Sequence, residues 1–172
     1  MRVLIWTLAV FLLLALQSGV LLPLSIAPVN LILILLVLAL LLDSPQTAAT
    51  IAVVGGLMLD FLSGTGDGLI TLSLLLTFST MFFLFEAFLN RELNNWIVAV
   101  SIAGATWIFA FLMLLSNWIF NWFGQGSAVD WKSFAWEHLI LSLVFNLLLT
   151  YPVWKYLSLV ESLLQKLTRK NA

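Results

Sequence analysis

Cysteine is absent, which removes disulfides, thiolate nucleophiles and thiolate-ligated metals together. Charge is scarce: seven basic and eight acidic residues make up 9% of the chain, with a net charge of −1. Soluble domains carry about 25% charged residues, so this chain cannot coat a water-exposed surface. Nor can it build the clustered basic face that a nucleic acid requires. The single histidine, His138, leaves a zinc site needing three carboxylates to converge. A hydrolytic triad would have to use the same histidine, and no serine lies in a nucleophile-elbow motif. No catalytic, cofactor or metal residues are therefore expected.

Apolar side chains make up 63% of the 172 residues, and the mean hydropathy is +1.13. The expected class is an all-α, polytopic integral membrane helix bundle. About six crossings of about 20 residues each would use most of the chain and leave no room for a catalytic domain outside the bilayer. Hydropathy places them near residues 3–22, 29–42, 47–62, 69–89, 96–123 and 134–156. Arg2 followed by an apolar run has the outline of a signal peptide, but equally apolar sequence follows, so an uncleaved first span is expected. The second segment is short for a crossing. It must thin the bilayer, extend into its flanks or lie partly re-entrant, and five full spans plus a half-span is an open alternative. Breakers fill the connections: Pro23 and Pro28, Pro45, Gly64, Gly66 and Gly68, Asn90, Asn94 and Asn95, then Gly124 and Gly126.

Cations set the expected orientation. With the N-terminus inside, Arg2, Arg91, Lys155, Lys166, Arg169 and Lys170 are cytoplasmic and only Lys132 is outside. Trp118, Trp122, Trp131 and Trp136 bracket the last external loop, and Trp96, Trp154 and Tyr156 mark the other boundary. Both termini are thus expected in the cytoplasm. Residues 157–172 read as a basic amphipathic tail, with Val160, Leu163, Leu164 and Leu167 at helical spacing. A solvated end to the last span explains the same pattern.

The most informative stretch is Ala48, Ala52, Gly56 and Asp60, four apart, continuing at the same interval to Gly64 and Gly68. In lipid, small residues that let backbones approach are the usual helix contact surface. The face is expected to pack against another helix, of this bundle or of a partner. Asp60 at its end costs free energy in an apolar segment and needs compensation, from the turn amides after Ser63, from Lys132 or from His138. Bracing the glycine turn and serving as a buried contact point are the two readings of this carboxylate. A phosphate-loop reading of Ser63, Gly64, Thr65, Gly66, Asp67 and Gly68 fails, since no Gly-Lys-Ser/Thr ending follows. A calcium loop fails on the spacing of the acids. Glu137 and His138 are adjacent and do not share a helix face. A proton relay through Asp60, Glu86 and His138 is not assembled by anything in the sequence. Ala99, Ser101, Ala103 and Ala105 on the fifth span form a second small surface that could meet the third helix, and Asn117 and Asn121 are candidates for bonds between helices.

Gly56, three spacers, Asp60, then Phe61, Leu62, Ser63 and Gly64, three spacers and Gly68 resemble the third-span signature of the rod shape-determining protein MreD family. Pro28, Val29, Asn30 and the Leu/Ile run after them resemble the start of that family's second span. The resemblance implies a bacterial inner-membrane protein without enzymatic activity, a scaffold of the cell-elongation machinery. It implies partnership with the bitopic protein MreC and, indirectly, with the elongation transpeptidase, the glycosyltransferase and an actin-like cytoskeleton, all in contact with membrane lipid. It also implies a fold like that of the substrate-binding subunits of energy-coupling-factor vitamin transporters. Those subunits supply the rival function, substrate binding in a vitamin transporter or another small membrane transporter. Their Ala, three spacers, Ala docking pattern is missing from the first span, where Ala9 and Ala15 are six apart.

Overall fold

The computed structural model describes residues 2–21, 29–63, 68–88, 95–122 and 139–170. Helices are α1 (Arg2–Leu16), continued by a π-helical turn (Gln17–Leu21), α2 (Leu31–Leu42), α3 (Pro45–Ser63), α4 (Leu69–Phe88), α5 (Asn95–Trp122) and α6 (Ile140–Lys170). No strand occurs among the described residues. Four of these helices, α3 to α6, are long and apolar enough to cross a membrane, whereas the apolar stretches of α1 and α2 are shorter.

Element bounds lie close to the hydropathy segments, and residues 134–138 of the last one fall outside the described part. The helix of α6 continues without interruption past residue 156 to Lys170. Side chains of the tail beyond Ser158 lie outside the described residues.

Helix α2 is the centre of the molecule. Its 12 residues, LILILLVLALLL, have no polar face, and a helix that is hydrophobic all round is a buried one. Leu31 to Ala39 are each at most 1% exposed. Helices α1, α3, α4, α5 and α6 all pack against it, and they follow one another as an arc: α1 beside α3, α3 beside α4, α4 beside α5, α5 beside α6. At 1.5 Å per residue α2 is about 18 Å long, well short of a hydrocarbon core of about 30 Å. Protein surrounds it, so its length has no bilayer to match.

Local chemistry sets the ends of α2. Asn30 caps its start, the side chain accepting from the Leu33 amide at 3.0 Å. At the other end the Asp43 amide donates to the Ala39 carbonyl at 3.0 Å. Ser44 then opens α3 by accepting from the Thr47 amide at 3.2 Å, and Pro45 takes the first helical position, where a missing N–H costs nothing. The α2–α3 connection is therefore only Asp43 and Ser44.

Most outward-facing positions are apolar. Phe61 is 87% and Trp122 77% exposed, and Phe83, Val100, Phe111 and Leu148 are each more than 60% exposed. In water such a surface is opposed by about 25 cal/mol for each Å². A hydrocarbon surrounding removes that opposition.

Candidate functional site: two polar locks in an apolar bundle

The conspicuous residues of the third span form one device between α3 and α4. Gly56 faces Thr71 so closely that a Cβ there would stand 2.7 Å from the Thr71 Cα. That contact would be with backbone, so only glycine lets the two helices approach this far. One turn on, the Asp60 carboxylate accepts from the Ile70 amide through one oxygen and from the Thr71 amide through the other, both at 2.9 Å. The Thr71 hydroxyl donates to the second oxygen as well.

Ile70 and Thr71 belong to the first turn of α4, whose leading amides have no partner within their own helix. A Ser, Asp or Asn just before the helix usually caps them. Here that position is Gly68, with φ of +70°, and its carbonyl accepts from the Leu72 amide at 2.9 Å. Left-handed backbone suits glycine and supplies no capping side chain. Asp60, on the preceding helix, provides the oxygens instead, at the end of α4 where the helix dipole favours negative charge. Asp60 is 4% exposed, and these bonds offset the cost of burying its carboxyl group.

Asp60 thus meets amides that follow the glycine turn. Ser63 closes α3 with its side chain outside the described residues, and Gly64, Thr65, Gly66, Asp67, Lys132, Glu137 and His138 lie outside them entirely. Ala48 and Ala52, on the same face as Gly56, are fully buried. Gly55 points instead to α2, where its Cβ would meet the Ile32 side chain. Glycines at adjacent positions thereby seat α3 against two different helices.

A second lock closes the start of α2, and sequence reasoning missed it. The Asn30 amide donates to Asn146 Oδ1 of α6 at 3.2 Å. The Leu31 amide donates to Gln17 Oε1 in the π-helical turn at 3.0 Å. Asn146 Nδ2 in turn donates to the Thr106 hydroxyl of α5 at 3.1 Å, and it lies 3.4 Å from the Ser142 hydroxyl. The Thr150 hydroxyl donates to the Asn146 carbonyl. Ile32 is level with Gly55, so Asn30 is level with Leu57, roughly 9 Å short of the end of α3 at Ser63. The first turn of α2 therefore ends inside the bundle, where water cannot satisfy its amides, and side chains of α6 and of the π-helical turn do so. Among the described residues no buried side-chain nitrogen or oxygen lacks a partner. The available signal was a carboxamide inside each apolar run: Gln17, and Asn146 in LSLVFNLLLT.

Other candidates separate. Thr71, held by Asp60, and Glu86 lie on α4 about 23 Å apart along its axis. That distance leaves Asp60 and Glu86 unconnected as a relay. Ser101 and Ala105 are buried on α5, but its principal neighbours are α4, α6 and α2. The neighbour of this surface is thus not principally α3, because α4 occupies the place beside α3. Asn117 is half-buried and engaged, and Asn121 is exposed. No group of three or more His, Cys, Asp or Glu gathers among the described residues.

Fold and locks together define an all-helical protein whose buried polar groups join helix to helix and whose outside is mostly apolar. No family model matches the chain, and no curated protein or solved structure matches it.

Proposed function

We propose that the chain is a non-enzymatic, multi-pass scaffold of the bacterial inner membrane, acting in cell elongation to hold partner membrane proteins and direct lateral peptidoglycan synthesis. In this reading its six helical segments form a bundle like that of the vitamin-transporter substrate-binding subunits, with both termini cytoplasmic. The partner is a bitopic protein of the MreC kind, and the transpeptidase, glycosyltransferase and actin-like cytoskeleton are reached through it.

One observation carries the proposal. Gly56, Asp60 and Gly68, on which the resemblance to the MreD family rests, serve helix–helix closure as one unit. Their chemistry is spent on shape, and association is the work left to an apolar exterior. Ala52 is fully buried, so a probe there reports only on the bundle. Leu57, 56% exposed on α3, is the better position.

The test joins depletion with crosslinking in intact membranes from a single Leu57→Cys, made in a chain that naturally lacks cysteine. Rounded cells and capture of a single-span protein support the scaffold. Normal rods after depletion overturn it, and a co-purifying vitamin with failed uptake on deletion would replace it by the transporter reading.

A further inference from the structure

Helix α5 turns one face away from the bundle. Val100, Gly104, Trp107, Phe111, Trp118 and Trp122 recur on it at steps of four, three, four, seven and four residues, the spacing of a seam between helices. From Val100 to Trp122 the face covers about 33 Å, enough to follow a hydrocarbon core of about 30 Å from side to side. Trp107 is 56%, Phe111 63%, Trp118 48% and Trp122 77% exposed, so the described residues leave the face open. The 28 residues of α5 include no charged side chain.

Two residues on this face are ill suited to lipid. Trp107 lies about 17 Å from Trp96 and about 23 Å from Trp122 along the axis, deep within the apolar stretch Trp96–Trp122. Lipid-facing tryptophans gather at the two membrane interfaces, where the indole N–H finds an acceptor. Hydrocarbon at mid-depth offers none, and among the described residues the Trp107 N–H has no partner. Gly104 is one turn away. Glycine is a poor helix former that membrane helices use where backbones come close. Gly55 and Gly56 each seat a neighbouring helix in this way, yet a Cβ at Gly104 would meet nothing within 4 Å.

We propose that this face of α5 pairs two copies of the chain across a two-fold axis along the membrane normal. The face is complementary to itself. Two copies inserted in the same orientation present it to each other, and helical side chains lean toward the N-terminus of their helix. Each Trp107 ring is thereby brought to the level of Gly104 on the other copy. There the missing Cβ leaves room for the ring and opens the backbone, whose carbonyls keep a lone pair for the indole N–H. Ring and gap on one chain meet gap and ring on the other, as an isologous contact requires. Size agrees as well. The four aromatics of the face alone expose about 400–600 Å², at least half of the about 800 Å² that each side of a standard interface buries. Because α5 is uncharged, identical faces meet without repulsion.

Disulfide formation in intact membranes from single introduced cysteines tests the pairing, in a full-length chain that has no other cysteine. Val100→Cys should give a product of twice the chain mass, several-fold more of it than Leu76→Cys on the exposed side of α4. Adding Gly104→Leu to Val100→Cys fills the gap and should cut that yield several-fold. Gly104→Leu alone should unfold no earlier than wild type in excess micelles, which dilute the copies apart, since the bundle leaves open space at this position. Trp107→Phe keeps a ring but removes the N–H, and added to Val100→Cys it should also lower the yield several-fold; it decides the matter if Gly104→Leu fails to fold. Equal yields from Val100→Cys and Leu76→Cys, an undiminished yield in either added variant once folded, or capture of a different protein by Val100→Cys would each overturn the proposal.

Discussion

Gly56→Ala and Gly104→Ala, two identical chemical changes in apolar helices, should move stability in opposite directions. At Gly104 an added Cβ meets no atom within 4 Å, whereas at Gly56 it stands 2.7 Å from the Thr71 Cα, 3.0 Å from the Thr71 hydroxyl oxygen and 3.1 Å from its Cβ. Ordinary contact begins near 3.4 Å, so α4 must retreat by at least 0.7 Å. The same retreat would stretch the two 2.9 Å bonds from the Ile70 and Thr71 amides to Asp60 past useful length. Overpacking of this kind costs about 1–3 kcal/mol, and each weakened bond to a buried carboxylate adds to it. Alanine returns up to about 1 kcal/mol of helix propensity at either site. Net, Gly56→Ala should lose about 1–3 kcal/mol and Gly104→Ala should lie between no change and a gain of about 1 kcal/mol. Reversible unfolding in mixed micelles, followed by helix content, measures both. A Gly56→Ala protein as stable as wild type would refute the close-approach argument.

Asp60→Asn keeps the shape and one acceptor but turns an amide group toward a backbone N–H, and should lose about 1–3 kcal/mol in the same assay. Equality with wild type would show the ionised carboxylate to be dispensable. Asn146→Leu strands the Asn30 amide at the head of α2 and should cost about 1–3 kcal/mol, with faster hydrogen exchange in the first turn of α2 as its signature; unchanged protection there would remove the second lock. Leu35→Ala, in the fully buried middle of α2, should cost about 2–5 kcal/mol through the cavity it opens. Leu72→Ala, on the exposed side of α4, should cost far less than Leu35→Ala, and comparable losses would contradict the central place of α2.

Much of the α3–α4 lock was legible beforehand. A small residue every four positions marks one helix face, and an acid at the end of that face demands compensation, so bracing of the turn was one of two stated readings of Asp60. Its amide partners at Ile70 and Thr71 were not legible, because they depend on Gly68 having no side chain to offer. The enclosure of α2 was harder to see. In a soluble protein an all-round apolar helix stands out from its amphipathic neighbours. Here every segment is apolar, because lipid and protein interior are similar solvents, so hydrophobic periodicity no longer distinguishes inside from outside. Only the shortness of the LILILLVLALLL run hinted at a different role. The pairing of α5 was left open for the same reason: small residues announce a close neighbour without naming it.

The amide of Asn30 finds its acceptor on a residue 116 positions later in the chain. A ribosome working from the N-terminus delivers α2 long before Asn146 exists. During that interval the head of α2 lacks one of its caps, and the bundle axis waits for the final hairpin before it can close. Products truncated ahead of α6 should accordingly be recognised as unfinished by membrane quality control, even though most of their hydrophobic helices are already made.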